Sequence, residues 1–361
     1  MQRRDFFKRA GTASLALGAG VAGIGTAQAK ADYQWKLITS WPKNFPVLGT
    51  GANRLAALIG ELSGGRIRVK VYGAGELVSA FEVFDAVARG TAELGHSTPS
   101  YWKGKREIAQ LFSGVPFGMT AQEMNGWLYH GDGLALWTEL YARFGLIPFP
   151  AGNSGVQMGG WFNRELDSVS DLQGLKMRMP GLGGEVIKRA GGTSVNLPGG
   201  ELFTALESGV IDATEWASPY IDLASGLHKA AEYYYYPGFH EPGTTLEAMV
   251  NRAAFEALPA DLQAIVRSAC QVVNQDLLAE QTARNPGALR TLIERHGVKL
   301  RAYPDDVIAE LKRLTEEVVS ELAQKDTFSR KVVASYRKFL RESKAWSRIS
   351  ELAYLQARDR T

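Results

Sequence analysis

Trp35-Lys36-Leu37-Ile38-Thr39, the stretch from Gly51 to Leu62, Ile67-Arg68-Val69-Lys70-Val71-Tyr72 and the stretch from Glu82 to Arg89 follow one another near the start of the chain. The first alternates as a strand does. The second places Leu55, Leu58, Ile59 and Leu62 at helical spacing. The third has period two and is closed by Gly73-Ala74-Gly75; the fourth returns to helix. Strand, helix, strand, helix in succession predicts an α/β fold with a largely parallel sheet.

One of these units recurs. Phe84-Asp85-Ala86-Val87-Ala88-Arg89-Gly90-Thr91-Ala92-Glu93-Leu94 is matched by Phe203-Thr204-Ala205-Leu206-Glu207-Ser208-Gly209-Val210-Ile211-Asp212-Ala213. Each reads as a helix stopped by a glycine just past its end, then a short turn into a buried strand. Gly95-His96-Ser97-Thr98 follows the first copy and Thr214-Glu215-Trp216-Ala217 the second. Ligands of open α/β sheets sit beyond the carboxyl ends of strands. Two copies therefore predict two similar lobes, each giving a loop to one central cleft.

Between the copies, Asn153-Ser154-Gly155-Val156-Gln157-Met158-Gly159-Gly160-Trp161-Phe162 suits a hinge strand, and Thr244-Thr245-Leu246-Glu247-Ala248-Met249-Val250-Asn251 a return crossing. Two crossings imply lobes that open and close as rigid bodies. The expected division is a first lobe over 30–152, completed by about 246–310, a second over 153–245, and a helical region over 311–361. That last region reads as helix from Asp305 to Ala323, a break near Asp326, and a long helix from about Ser329 to Ala357. Phe339, Leu340, Trp346, Ile349, Leu352 and Leu355 give the long helix apolar surface that must pack on something. Its own lobe or a second subunit would serve, and a homodimer is the expectation.

At the other end, Met1-Gln2-Arg3-Arg4-Asp5-Phe6-Phe7-Lys8-Arg9 has the paired arginines of a twin-arginine export signal. An apolar run from Ala10 to about Ile24 is too short to span a bilayer. Ala27-Gln28-Ala29 offers small residues for cleavage before Lys30, so residues 1–29 read as a signal peptide and the mature protein as periplasmic. The signal holds four of the 41 basic residues and one of the 38 acidic ones, which leaves 37 of each. Nothing in that balance, or in any basic stretch, asks for nucleic acid. A mature chain of about 330 residues calls for two domains. Cys270 is the single cysteine, so neither an internal disulfide nor a thiolate metal cluster can form.

Enzymatic signals are thin. His96, His130, His228, His240 and His296 show no metal-ligand spacing, and no Gly-x-Ser-x-Gly, P-loop or HExxH occurs. Gly181-Leu182-Gly183-Gly184 lacks the spacing of a dinucleotide loop. Arg178 is the strongest local signal. It ends the short apolar strand after Asp171-Leu172-Gln173-Gly174-Leu175 and precedes a glycine-rich turn, placed to aim a guanidinium fork at a carboxylate. Glu215 and Trp216, in Asp212-Ala213-Thr214-Glu215-Trp216, put a carboxylate and a large ring at a second strand end. A surface arginine and a core tryptophan are the plainer readings of Arg178 and Trp216.

Four motifs in order now carry a resemblance: Gly152 to Phe162, Gly174-Leu175-Lys176-Met177-Arg178, Gly209-Val210-Ile211-Asp212-Ala213-Thr214-Glu215-Trp216, and Tyr233-Tyr234-Tyr235-Tyr236-Pro237-Gly238. Across essentially the whole mature chain the sequence resembles the extracytoplasmic receptors of TRAP transporters, the DctP family, in the branch that binds 2-oxo acids and lactate. The resemblance implies a two-lobed periplasmic binding protein fold, a transport receptor rather than an enzyme, and TRAP membrane subunits as partners. It implies that Arg178 clamps the substrate carboxylate, with Tyr101, Asn153, Gln157 and Trp216 beside the substrate. It further implies a metal ion held by Gln157, Glu215, the Trp216 carbonyl and Glu241. Oxygen donors of these kinds suit a hard cation, Na⁺ or Ca²⁺. A pyruvate-like 2-oxo acid or lactate is the implied solute. The competing readings are a periplasmic ligand sensor and a keto-acid enzyme. Around Glu241 the chain reads Phe239-His240-Glu241-Pro242-Gly243, where the branch more often has a second aromatic and glycines.

Overall fold

The computed structural model describes residues 31–360, so the export-signal reading lies outside the described residues. Among the described residues, eleven strands form two sheets. They are β1 (Tyr33–Thr39), β2 (Ile67–Tyr72), β3 (Leu94–Ser97), β4 (Leu146–Asn153), β5 (Gly160–Phe162), β6 (Lys176–Arg178), β7 (Thr193–Val195), β8 (Ala213–Thr214), β9 (Tyr233–Tyr236), β10 (Thr245–Asn251) and β11 (Lys299–Ala302). The first sheet has the order β2-β1-β3-β10-β4 and the second β11-β9-β5-β8-β6-β7. Two lobes, each a sheet flanked by helices, follow from these orders.

Both sheets are mixed rather than largely parallel. β1 pairs parallel with β2 and β3, whereas β10 runs antiparallel to β3 and β4. In the second sheet β6 is parallel to β7 and β8, and β5 is antiparallel to β8 and β9. The antiparallel pairs arise at the crossings. β4 leads out of the first lobe into β5, and β9 leads back into β10, so each sheet receives strands entering against its direction.

The recurring unit occupies matching places. The helix Val83–Ala88 leads into β3, and the helix Leu202–Glu207 into β8. Gly90 (φ 75°) and Gly209 (φ 73°) take the left-handed conformation that ends each helix. Both strands deliver their next residues to the seam between the lobes.

The helix Ala260–His296 runs 37 residues, about 55 Å at 1.5 Å per residue. It packs on β4 and the helix Leu48–Leu62 in the first lobe, and on the helix Pro219–Ser225 in the second. The expected return of the chain to the first lobe as far as about 310 is therefore corrected at β11. That strand pairs parallel with β9 in the second sheet, because the long helix carries the chain back across the seam. The C-terminal region is three helices, Asp305–Gln324, Thr327–Ile349 and Glu351–Arg358. Phe328, Val332, Val333 and Tyr336 are buried, the Tyr336 hydroxyl accepting from the Met119 amide at 2.9 Å. The same surface reverses further on: Trp346, Ile349 and Tyr354 are 67%, 71% and 65% exposed.

Candidate solute-binding site

β6 and β8 lie side by side, with Arg178 opposite Thr214 in the register. Arg178 therefore leaves the carboxyl end of its strand beside Glu215, which follows β8. Both side chains are 1% exposed and form an ion pair. Nη1 also donates to the Glu215 carbonyl at 3.2 Å, Nε to the Leu197 carbonyl at 3.1 Å, and Nη2 to the Tyr101 hydroxyl at 3.4 Å. Tyr101 belongs to the first lobe, in the turn after β3. One guanidinium thus touches both lobes, and it lies over the Trp216 ring at 5.4 Å. Burial alone would weaken its charge, but Glu215, Tyr101 and Glu241 outweigh burial and hold the guanidinium protonated. Burial pushes the Tyr101 hydroxyl up to about 12, so it stays a neutral donor.

The crossings supply the facing wall. Gln157 Nε2 donates to Glu241 Oε2 at 2.7 Å and to Ser154 Oγ at 3.1 Å, while Gln157 Oε1 is buried without a partner. Glu215, His240 and Glu241 each place one ligand atom within 4.8 Å of the others. Burial, then the neighbouring Glu215, raise the Glu241 carboxyl above its ordinary range. A buried carboxylate and a half-buried one this close repel, and a buried amide oxygen without a donor is costly. A hard cation answers both problems, so the residues present fit such an ion. About 40 Å³ of free space remains, walled by Trp41, Leu48, Trp216, Ile221 and Leu246. A single water needs about 10–15 Å³ on the same scale, so the free space suits a solute of only a few heavy atoms.

Arg178, Tyr101, Gln157, Glu215, Trp216 and Glu241 come together around this cavity. Asn153 does not. Its amide donates to the Gly243 carbonyl at 3.0 Å and its Oδ1 accepts from the Gly155 amide at 2.9 Å, so it braces the two crossings against each other. His240 was missed. It is 2% exposed, and its Nε2 lies 3.3 Å from Glu215 Oε2. Its approach depends on Gly183, where a Cβ would stand 2.9 Å from His240 Cβ. The departure from the branch pattern at Phe239-His240-Glu241 was the available signal. Thr98, Ser154 and Thr244 also line the site, and no local pattern marked them.

The family model of the bacterial extracellular solute-binding proteins, family 7 (DctP), matches residues 38–326. This chain belongs to the DctP family. It is accordingly an extracytoplasmic solute-binding receptor, and the family is one of receptors for transporters rather than of enzymes. The monocarboxylate 2-oxoacid-binding periplasmic protein of Nostoc sp. is 43% identical over 325 residues, covering 90% of this chain and 88% of that one. A TRAP periplasmic solute-binding protein from Pseudoalteromonas atlantica, crystallised with sodium and pyruvate, is 41% identical with a TM-score of 0.88, covering 91% of this chain and 99% of that one. A third relative, from Bordetella bronchiseptica, is 36% identical with a TM-score of 0.89 over 91% of this chain and 97% of that one. It is a mixed-occupancy dimer with copurified calcium and picolinate bound in an active site, versus an apo site. The two-lobed architecture, the mixed sheets and the long C-terminal helix of this DctP receptor agree with those structures.

Proposed function

We propose that this receptor captures a small 2-oxo monocarboxylate such as pyruvate, together with Na⁺ or Ca²⁺, and delivers it to TRAP membrane subunits. The observation that carries the reading is the buried Arg178–Glu215 pair facing Glu241 and the unpartnered Gln157 oxygen around a space of about 40 Å³. The relatives with pyruvate or picolinate beside sodium or calcium support it. Gln157, Glu215, Glu241 and the Trp216 carbonyl would hold the ion, which supplies positive charge against two carboxylates and a docking point for substrate oxygens. Arg178 would take the substrate carboxylate in its fork, with the Tyr101 hydroxyl as a further donor. Trp41, Trp216, Leu48 and Leu246 exclude water and strengthen each of these contacts.

Counting formal charges in the closed cleft, Glu215 and Glu241 with the substrate outnumber Arg178 by two. A divalent cation cancels that excess and Na⁺ halves it, so ion and substrate should bind with positive coupling. The test is calorimetric. Pyruvate is titrated into protein stripped with chelator in a buffer free of Na⁺ and Ca²⁺, then again with Ca²⁺ restored. Affinity should appear only in the second titration; full affinity in the first removes the ion from the mechanism.

Two further readings belong to the same proposal. Export by the twin-arginine route rests on Arg3-Arg4, and an Arg3→Lys, Arg4→Lys double variant should leave precursor in the cytoplasm. A homodimer rests on the exposed apolar residues from Trp346 onward, and the dimeric relative supports it.

A further inference from the structure

Glu215, Trp216 and Ala217 follow β8 and form one stretch of the cleft wall, and the flanking carbonyls are engaged. The Glu215 carbonyl accepts from Arg178 and from Thr214 Oγ1, and the Ala217 carbonyl from the Met158 amide at 2.9 Å. Among the described residues, no donor reaches the Trp216 carbonyl, although Trp216 is only 7% exposed. Buried carbonyls nearly always have a partner, so an orphan between two engaged neighbours is informative.

The orientation of that carbonyl has an identifiable cause. Asp222, 1% exposed, accepts the Ala217 amide on Oδ1 at 3.1 Å. On Oδ2 it accepts from Trp161 Nε1 at 2.9 Å and from the Tyr234 hydroxyl at 2.8 Å. Trp161 and Tyr234 stack with ring centroids 4.0 Å apart on the adjacent strands β5 and β9. The carboxylate is thus fixed from the sheet side and grips a single N–H on the cleft side. That N–H and the Trp216 carbonyl belong to one trans peptide unit, whose two groups point in opposite directions. Trp216, Ala217 and Ile221 line the cavity whereas Asp222 stands behind them. Holding the N–H toward Asp222 therefore turns the carbonyl away from the sheet, toward the cavity.

We propose that Asp222 is a positioning residue for the ion site: its carboxylate, braced by Trp161 and Tyr234, locks the Trp216–Ala217 peptide so that the Trp216 carbonyl is presented to the cation. The inference rests on the ion reading above and adds to it a residue that touches neither ion nor substrate. An asparagine at 222 keeps the size but cannot accept from all three donors, because one edge becomes N–H. The peptide then loses its anchor and the cation loses a fixed ligand.

The experiment measures the Ca²⁺ concentration needed to support pyruvate binding, and separately the pyruvate affinity at saturating Ca²⁺. In Asp222→Asn the Ca²⁺ midpoint should rise tenfold or more, while pyruvate affinity at saturating Ca²⁺ stays within threefold of the original. A midpoint within threefold of the original overturns the proposal. So does a parallel fall in pyruvate affinity at saturating Ca²⁺, which is the mark of general damage to the lobe. Trp161→Phe loosens the carboxylate without deleting it and serves if Asp222→Asn does not fold; its midpoint should rise threefold or more, and an unchanged one overturns the proposal. Glu215→Gln is the separate control: unaltered Ca²⁺ dependence there would sink the ion reading itself.

Discussion

Among the described residues Arg178 is the only guanidinium in the cleft wall, and its partners suit the fork of a guanidinium. Its three nitrogens reach Glu215, Leu197 and Tyr101 from separate points of one plane, a spread that the three donors of a single ammonium nitrogen do not reproduce. Arg178→Ala should cost roughly 2–5 kcal/mol of pyruvate affinity, since it leaves a substrate carboxylate buried and unpaired. Arg178→Lys should fail too, and calorimetry showing near-original affinity for the lysine variant would end the bidentate assignment. The sequence pointed to Arg178 because a strand end followed by glycines is a local pattern. His240 carries no such pattern: it becomes a site residue only when the return crossing folds it against Glu215.

Among the elements, β10 carries a second buried acid. Glu247 is 0% exposed; one oxygen accepts from Trp102 Nε1 and the other has no partner. Burial pushes its carboxyl up to about 8, against the hydrogen bond from Trp102. The folded group therefore holds a proton that the unfolded one releases near pH 4.5. Folding takes up that proton between pH 4.5 and about 8, so this contribution to stability is full below pH 4.5 and is lost as pH rises through 8. The slope is at most about 1.4 kcal/mol per pH unit. Glu247→Gln should flatten the fall in unfolding free energy across that window, and denaturant titrations at pH 5, 6.5 and 8 measure it. The C-terminal helices make a different case. Removing everything from Ser329 would strip Val332, Val333 and Tyr336 from the first lobe. Deleting 345–361 instead removes Trp346, Ile349, Leu352, Tyr354 and Leu355, which are exposed, and leaves that packing in place. Light scattering at micromolar concentration should show a dimer for the full chain and a monomer for the shortened one; a monomeric full chain refutes the assembly.

At the scale of the whole molecule, the lobes meet through the site. Arg178 reaches Tyr101, and the Trp216 ring lies 6.4 Å from both Trp41 and Phe45 across the cleft. Opening must break these contacts, and on the proposed ion–solute coupling the charges in the cleft should favour closure only when both are present. Small-angle scattering should show the radius of gyration falling when pyruvate and Ca²⁺ are added together, and little change with either alone; full contraction with pyruvate alone in Ca²⁺-free buffer would contradict the coupling. The sequence by itself determined the α/β class and the repeated helix–glycine–strand unit, and it singled out the two expected crossing segments and Arg178 and Glu215, each at a strand end. Each is written in residue spacing over a dozen positions or fewer, where backbone periodicity and glycine geometry act. Only the tertiary structure decided that the sheets are mixed, that Ala260–His296 spans the lobes and sends β11 to the second sheet, that Asn153 braces the hinge, that His240 lies against Glu215, and that Asp222 holds the Ala217 amide. Those outcomes depend on pairings between residues far apart in the chain, which long-range packing selects and local sequence does not encode.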